Sequence, residues 1–175
     1  MTLLIYIALH VSAVTAAPLM TFGTGKSAFT LTSNETTVFD YTVSASATNA
    51  VLTHFWITGG TKPAQDNVTV RYYIDGEATP SIEFKPPMAA GVGFADPAIF
   101  GTGRIAHLSN YGGWSNDFRV PFASTLRVTL ALPASATPTT SWVIVRGTEN
   151  LPVTVGPIKL PDTARLSLHK IDGVT

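Results

Sequence analysis

The chain has 175 residues, the size of one ordinary domain. Hydrophobic residues make up 45% and charged residues only 13%, with Lys+Arg and Asp+Glu balanced at 11 each, so there is no basic stripe and no nucleic-acid partner is expected. Cysteine is absent, which excludes disulfides, thiolate metal sites and cysteine nucleophiles.

Residues 1–17 open with an apolar run, Leu3 to Leu9, and lead to the small residues Ala13, Ala16 and Ala17. That is the layout of a secretory signal peptide, which would send the mature protein out of the cell. No Lys or Arg precedes Lys26, so the basic start of such a signal is missing. An N-terminal strand or a weak membrane anchor therefore stays open. The run is too short to cross a bilayer core of about 30 Å, and no stable membrane span is expected. Asn34-Glu35-Thr36 and Asn67-Val68-Thr69 match the N-glycosylation acceptor pattern, which makes Asn34 and Asn67 candidate glycan sites on an exported protein.

Residues 18–35 read as a flexible start of the mature chain. Within them Phe22-Gly23-Thr24-Gly25-Lys26-Ser27 resembles the end of a phosphate-binding loop, but Met20 stands where that pattern requires glycine. Ala28 to Thr32 reads as a short strand. Thr36 to Ser44 sets Val38, Asp40 and Thr42 against Phe39, Tyr41 and Val43, a period-two pattern. Asn49 to Thr58 is a denser apolar run closed by Gly59-Gly60. His54 and Trp56 share a face of that strand. A lone histidine in such a place is more often packed or hydrogen-bonded than catalytic.

The stretch Val68 to Phe84 organises the rest. Branched and aromatic residues fill Val68 to Ile74, as a half-buried pleated surface favours. Tyr72 and Ile74 are expected on one face, Arg71 and Tyr73 on the other. Asp75-Gly76 breaks the run as a hairpin turn, and Pro80 to Phe84 follows. Two carboxylates, Asp75 and Glu77, sit at the reversal. Two apart, their side chains would share a face about 6–7 Å apart in an extended chain, which makes them the weak catalytic candidates. The same residues also serve turns for conformational reasons alone.

From Lys85 to Trp114 strand signal is weak and glycine is frequent, so the stretch reads as a long loop. Its aromatics are Phe94, Phe100, Tyr111 and Trp114. With His107, Asn110, Asn116 and Asp117 they have the residue types of a sugar-binding surface. Trp114, His107, Asn116 and Asp117 are the substrate-contact candidates, and the alternative is that the rings merely anchor the loop. Strand-like pieces follow at Phe118 to Phe122, Ser124 to Leu130 and Ser141 to Arg146. Glu149 to Pro161 reads as irregular. Ala164 to Ile171 alternates Leu166 and Leu168 inward with Arg165, Ser167 and His169 outward.

Short strands between Gly, Pro and Asn turns predict an all-β protein, an antiparallel β-sandwich of jelly-roll type over residues 36–175. His10, His54, His107 and His169 are scattered without metal-ligand spacing, and no Gly-x-Ser-x-Gly elbow occurs. Neither a metal nor a cofactor is expected.

Four blocks resemble a known family. They are His54-Phe55-Trp56-Ile57-Thr58, Val70 to Ile82 with its Asp-Gly-Glu-x-x-Pro-Ser core, Trp114 to Phe122, and Arg146-Gly147 with Leu160-Pro161. Together, across Val51 to Thr175, they are similar to domain of unknown function 2961, also treated as glycoside hydrolase family 172. The resemblance implies two successive jelly rolls, homo-oligomers such as trimers, and a retaining mechanism with two carboxylates on fructofuranosyl or arabinofuranosyl linkages. It also implies that this chain holds the first jelly roll only, truncated inside a larger secreted protein, with the catalytic glutamates in the missing part. Two functions follow as expectations. One is a fragment of a secreted furanosidase. The other is a non-catalytic jelly-roll module for carbohydrate binding or oligomer assembly.

Overall fold

The computed structural model describes residues 17–60, 66–90, 99–108 and 112–169. The stretch up to residue 16, which was expected to be a signal peptide, lies outside them, as do Phe94, Asn110, Tyr111 and the residues after His169.

In chain order the elements are β1 (Met20–Leu31), β2 (Thr36–Thr42), β3 (Ala50–Thr58), β4 (Thr69–Ile74), β5 (Ile82–Phe84) and the short helix α1 (Pro86–Ala89). There follow β6 (Phe100–Gly101), β7 (Ile105–His107), β8 (Gly112–Asn116), β9 (Val120–Phe122), β10 (Thr125–Ala131) and β11 (Thr139–Glu149), then a small hairpin of β12 (Thr154–Val155) and β13 (Ile158–Lys159). A seven-stranded sheet runs β1-β11-β3-β8-β7-β6, with β9 also paired to β3. A four-stranded sheet runs β2-β10-β4-β5. All the pairings are antiparallel. The protein is an all-β antiparallel sandwich.

Two aromatic groups close the space between the sheets. Phe22 of β1 stacks on Tyr41 of β2 at 4.0 Å between ring centroids, and Phe122 of β9 meets both edge-on. Further along, Phe55 of β3 packs edge-to-face with Tyr72 of β4 and Phe84 of β5. Between them lie Leu52, Ile57, Val70, Ile74, Leu126, Val128, Val143 and Val145, all buried. Cutting a buried ring such as Phe55 back to Ala would cost about 3–5 kcal/mol. Tyr72 and Ile74 face this core, whereas Arg71 and Tyr73 lie on the other face of β4, as the period of two requires.

Three expectations need correction. Residues 18–35 are no flexible start, because β1 fills most of them and pairs along β11. Its signal is obscured by Gly23 and Gly25 and by an irregularity between Lys26 and Phe29, where Ala28 takes a φ of 51°. The long loop after Phe84 carries α1 and the short strands β6, β7 and β8 in its described parts. Two to five residues rich in glycine leave no alternation to read. Finally, Leu166 and Leu168 do not point inward. They are 41% and 47% exposed on an irregular arm outside the strands. Alternation alone does not bury a side chain when no sheet receives the segment.

Candidate functional site

The two carboxylates of the β4–β5 turn are occupied by the chain itself. Asp75 and Gly76 have φ of 53° and 81°, and the Glu77 N–H donates to Ile74 O at 3.2 Å, a tight four-residue turn that opens the longer connection to β5, where Tyr72 pairs with Ile82. The Glu77 carboxylate accepts the N–H groups of Ile74 and Ser81 at 3.0 and 3.2 Å. Asp75 accepts the N–H groups of Ala123, Ser124 and Thr125 and the Ser124 hydroxyl, and pairs with Arg165. Burial pushes the Asp75 carboxyl up, but the Ser124 and Thr125 hydrogen bonds and the Arg165 guanidinium outweigh it and hold it below the ordinary value. Such a group is ionised at neutral pH and has no proton to donate.

Trp114 and His107 are interior. Their rings stack on each other with centroids 3.9 Å apart and planes at 9°, and the residues are 2% and 0% exposed. A sugar approaching from solvent meets neither ring. They occupy facing positions on β7 and β8 and point toward the core side with Phe55, Phe84 and α1. Asn116 is turned the same way, and its Oδ1 accepts the Phe118 N–H at 2.9 Å. Asn34 and Asn67 are both exposed, each just before a strand of the smaller sheet.

Asp117 has a different setting, on the outer face of the larger sheet. Its Oδ1 lies 2.6 Å from His54 Nδ1, with the two side chains 30% and 40% exposed. Arg104 Nη1 donates to the Asp117 carbonyl at 3.3 Å. The carboxylate fixes the imidazole plane, and Nε2 is left to meet solvent or a ligand. Across β3 and β11, His54 pairs with Arg146 and Trp56 with Ile144. Trp56 also pairs with Ser115 of β8, and Trp142 with Thr58. One face thus gathers His54, Asp117, Arg146, Trp56, Ile144 and Trp142.

The local sequence explains that gathering. On β11, Val143 and Val145 are buried in the core, so Trp142, Ile144 and Arg146 must point outward. Trp142 is 36% exposed and rests on the Gly59-Gly60 turn. A Cβ on Gly59, whose φ is 110°, would come within 2.5 Å of the indole, so glycine is required for this close approach. On β3 the register shifts opposite Arg146 and Gly147, and Thr53 is the extra residue. Its hydroxyl donates to Arg146 O at 3.3 Å.

Period two places His54 and Trp56 together, as expected. The approach of Asp117, 63 residues later, is not visible in the sequence. Trp142 and Arg146 carried a signal that was missed, because Trp and Ile on the polar phase of a strand mark an outer face with something to meet. Among the described residues no group of three or more His, Asp or Glu could hold a metal ion. No helix among them is long and apolar enough to cross a membrane. No protein-family model and no curated protein matches this chain.

Proposed function

We propose that the chain is a non-catalytic β-sandwich module that holds carbohydrate on the outer face of its larger sheet. The observation that carries this is the grouping of Trp56 and Trp142 beside the oriented His54–Asp117 pair on one solvent-facing surface. Indole faces offer flat apolar area to the C–H side of a sugar ring, while imidazole, carboxylate and guanidinium bond its hydroxyls. Trp56 and Trp142 stand diagonally on neighbouring strands, about 7–8 Å apart at the backbone. The engagement of Asp75 and Glu77 by backbone N–H groups supports a structural role for these two carboxylates.

The same proposal takes the sandwich as a jelly roll. Its support is the strand order, β1-β11-β3-β8 facing β2-β10-β4-β5. Followed along the chain, these strands pass from one sheet to the other at every step except the β4–β5 hairpin, as two nested Greek keys require. This agrees with the resemblance to furanosidase-like double jelly rolls, within which the face would hold a furanoside chain. For an exported protein, glycans on Asn34 and Asn67 would sit beside strands of the smaller sheet and leave the proposed face bare.

Titration calorimetry with oligosaccharides, fructofuranosides and arabinofuranosides among them, tests the proposal. Trp56→Ala and Trp142→Ala are each expected to weaken binding about tenfold, given the 0.5–1.5 kcal/mol of an aromatic contact plus its buried area. Circular dichroism should be unchanged. Binding that survives both substitutions would refute this choice of face.

A further inference from the structure

Beside the tryptophans the larger sheet carries an open trough of ≈ 530 Å³ between β1, β11 and β3. Register arranges the trough and the β3 residues beyond its edge in three rows across the strands. Thr21 pairs with Thr148, Gly23 with Arg146 and then His54, and Gly25 with Ile144 and then Trp56. Successive rows are about 6.8 Å apart, two residues along a strand. One row supplies hydroxyls, one a cation, and one an apolar surface.

The floor is bare backbone. A Cβ on Gly23 would lie 2.6 Å from Val145 O and 3.1 Å from Arg146 Cγ, so glycine there lets the arginine stem lie across the strand. Among the described residues no acidic residue lines the trough. The Arg146 guanidinium has no carboxylate partner among the described residues, and the nearest carboxylate in its row, Asp117, is turned to His54 on the far side. We propose that this trough receives the acidic group of an anionic glycan, a carboxylate or a sulfate, on Arg146 while the attached sugar lies over Ile144 and Trp56. The proposal rests on the carbohydrate reading above and narrows it to acidic sugars. A guanidinium offers two parallel N–H donors to either anion, and the Thr21 and Thr148 hydroxyls stand ready for the ring substituents.

With a net charge of zero, the chain has no general attraction for polyanions. Affinity electrophoresis and calorimetry at physiological salt should compare a polyuronate, a sulfated galactan, the matching neutral glycans and duplex DNA. Tighter binding of the polyuronate assigns a carboxylate, and tighter binding of the galactan a sulfate. Either should exceed the neutral glycan about tenfold, the scale of one charge-assisted contact. Arg146→Gln should remove that preference without changing the melting temperature. Gly25→Phe is a second probe, since a Cβ at Gly25 meets nothing within 4 Å and the ring would fill the trough without straining the fold. Equal binding of acidic and neutral glycans, an Arg146→Gln variant that keeps the preference, or equal binding of DNA would each overturn the assignment. If neutral glycans bind through Trp56 and Trp142 while Arg146 is silent, the carbohydrate reading stands and this one fails. If no glycan binds, both fail.

Discussion

At the scale of single residues, hydrogen-bonded carboxylates tie distant strands of this sandwich together. Glu149, 1% exposed at the end of β11, accepts the Tyr41 hydroxyl at 2.9 Å and the Ser44 N–H and hydroxyl at 2.7 Å each. Glu35 accepts the Thr129 and Tyr73 hydroxyls at 2.6 Å each. Burial raises the Glu149 carboxyl, and the Ser44 and Tyr41 hydrogen bonds bring it below its ordinary 4.5. The Thr129 and Tyr73 hydroxyls do the same for Glu35 against a smaller burial cost. With Asp75, all three have folded-state values below their unfolded ones, so the unfolded chain takes up protons first as pH falls. Their contribution is complete above about pH 5 and is lost as pH drops from the ordinary carboxyl range through the folded values. Asp75→Ala should cost about 1.5–3 kcal/mol at pH 7. Urea melts should show that cost shrinking toward pH 3, and a cost independent of pH would contradict the assignment. Tyr41 works in the opposite direction. Burial and Glu149 push its phenol from 10.0 to about 12, so its share is present below pH 10 and is lost as pH rises toward 12. The Asp75-Gly76 turn was legible from its dipeptide. The partners of the Asp75 carboxylate were not, because Ala123 to Thr125 lie 48 to 50 residues further along and Arg165 lies 90.

At the scale of elements, strand alternation was legible except where a strand carries an extra residue. In β3, Ala50 and Leu52 face the core on even numbers, yet Phe55 and Ile57 face it on odd ones. The change of phase falls at Thr53. A strictly alternating strand would have turned His54 and Trp56 inward with Leu52, so the bulge is what puts them in solvent. In β2, Val38 is the extra residue opposite Val128 and Thr129, and it is buried beside Phe39. Sequence reading caught the local phase around His54 and Trp56 but had no means of counting across the bulge. Deleting Thr53 should therefore be tolerated. The remaining run, from Ala50 to Leu52 and then His54 to Thr58, alternates regularly, and the outward face is preserved. The expected outcome is a folded protein in which the imidazole of residue 54 still meets Asp117, checked by histidine NMR shifts and their change in Asp117→Asn. Inserting an alanine after Thr53 should instead break the pairing with β8 or β11 and lower the melting temperature by several degrees.

At the scale of the whole molecule, the all-β class was legible from composition and turn spacing, and the layering of the sheets was not, because neighbours in space are distant in sequence. β1 pairs with β11, and β2 with β10. Among the described residues only the β4–β5 hairpin and the short β6–β7 and β7–β8 pairs, with the small β12–β13 hairpin, join consecutive strands. The irregular arm after Pro161 returns to the same hairpin. Arg165 reaches Asp75, and the Leu168 N–H donates to Ser81 O at 3.1 Å.

The turn at Asp75-Gly76 consequently belongs to two moments in the life of the chain. Its backbone reversal involves only neighbours, and hairpins of this kind close within about 1–10 μs. The carboxylate finds its acceptor role only after β10 has crossed over and the arm has come back, 90 residues downstream. A defect in the backbone and a defect in the side chain of one turn should then act on opposite limbs of the kinetics. Gly76→Val, which strains a φ of 81°, is expected to slow folding. Asp75→Ala is expected to leave the folding rate nearly untouched and to speed unfolding, as interactions absent from the transition state do. Chevron plots of the two variants would separate them, and matching shifts in both limbs would mean that the turn and its distant partners form together.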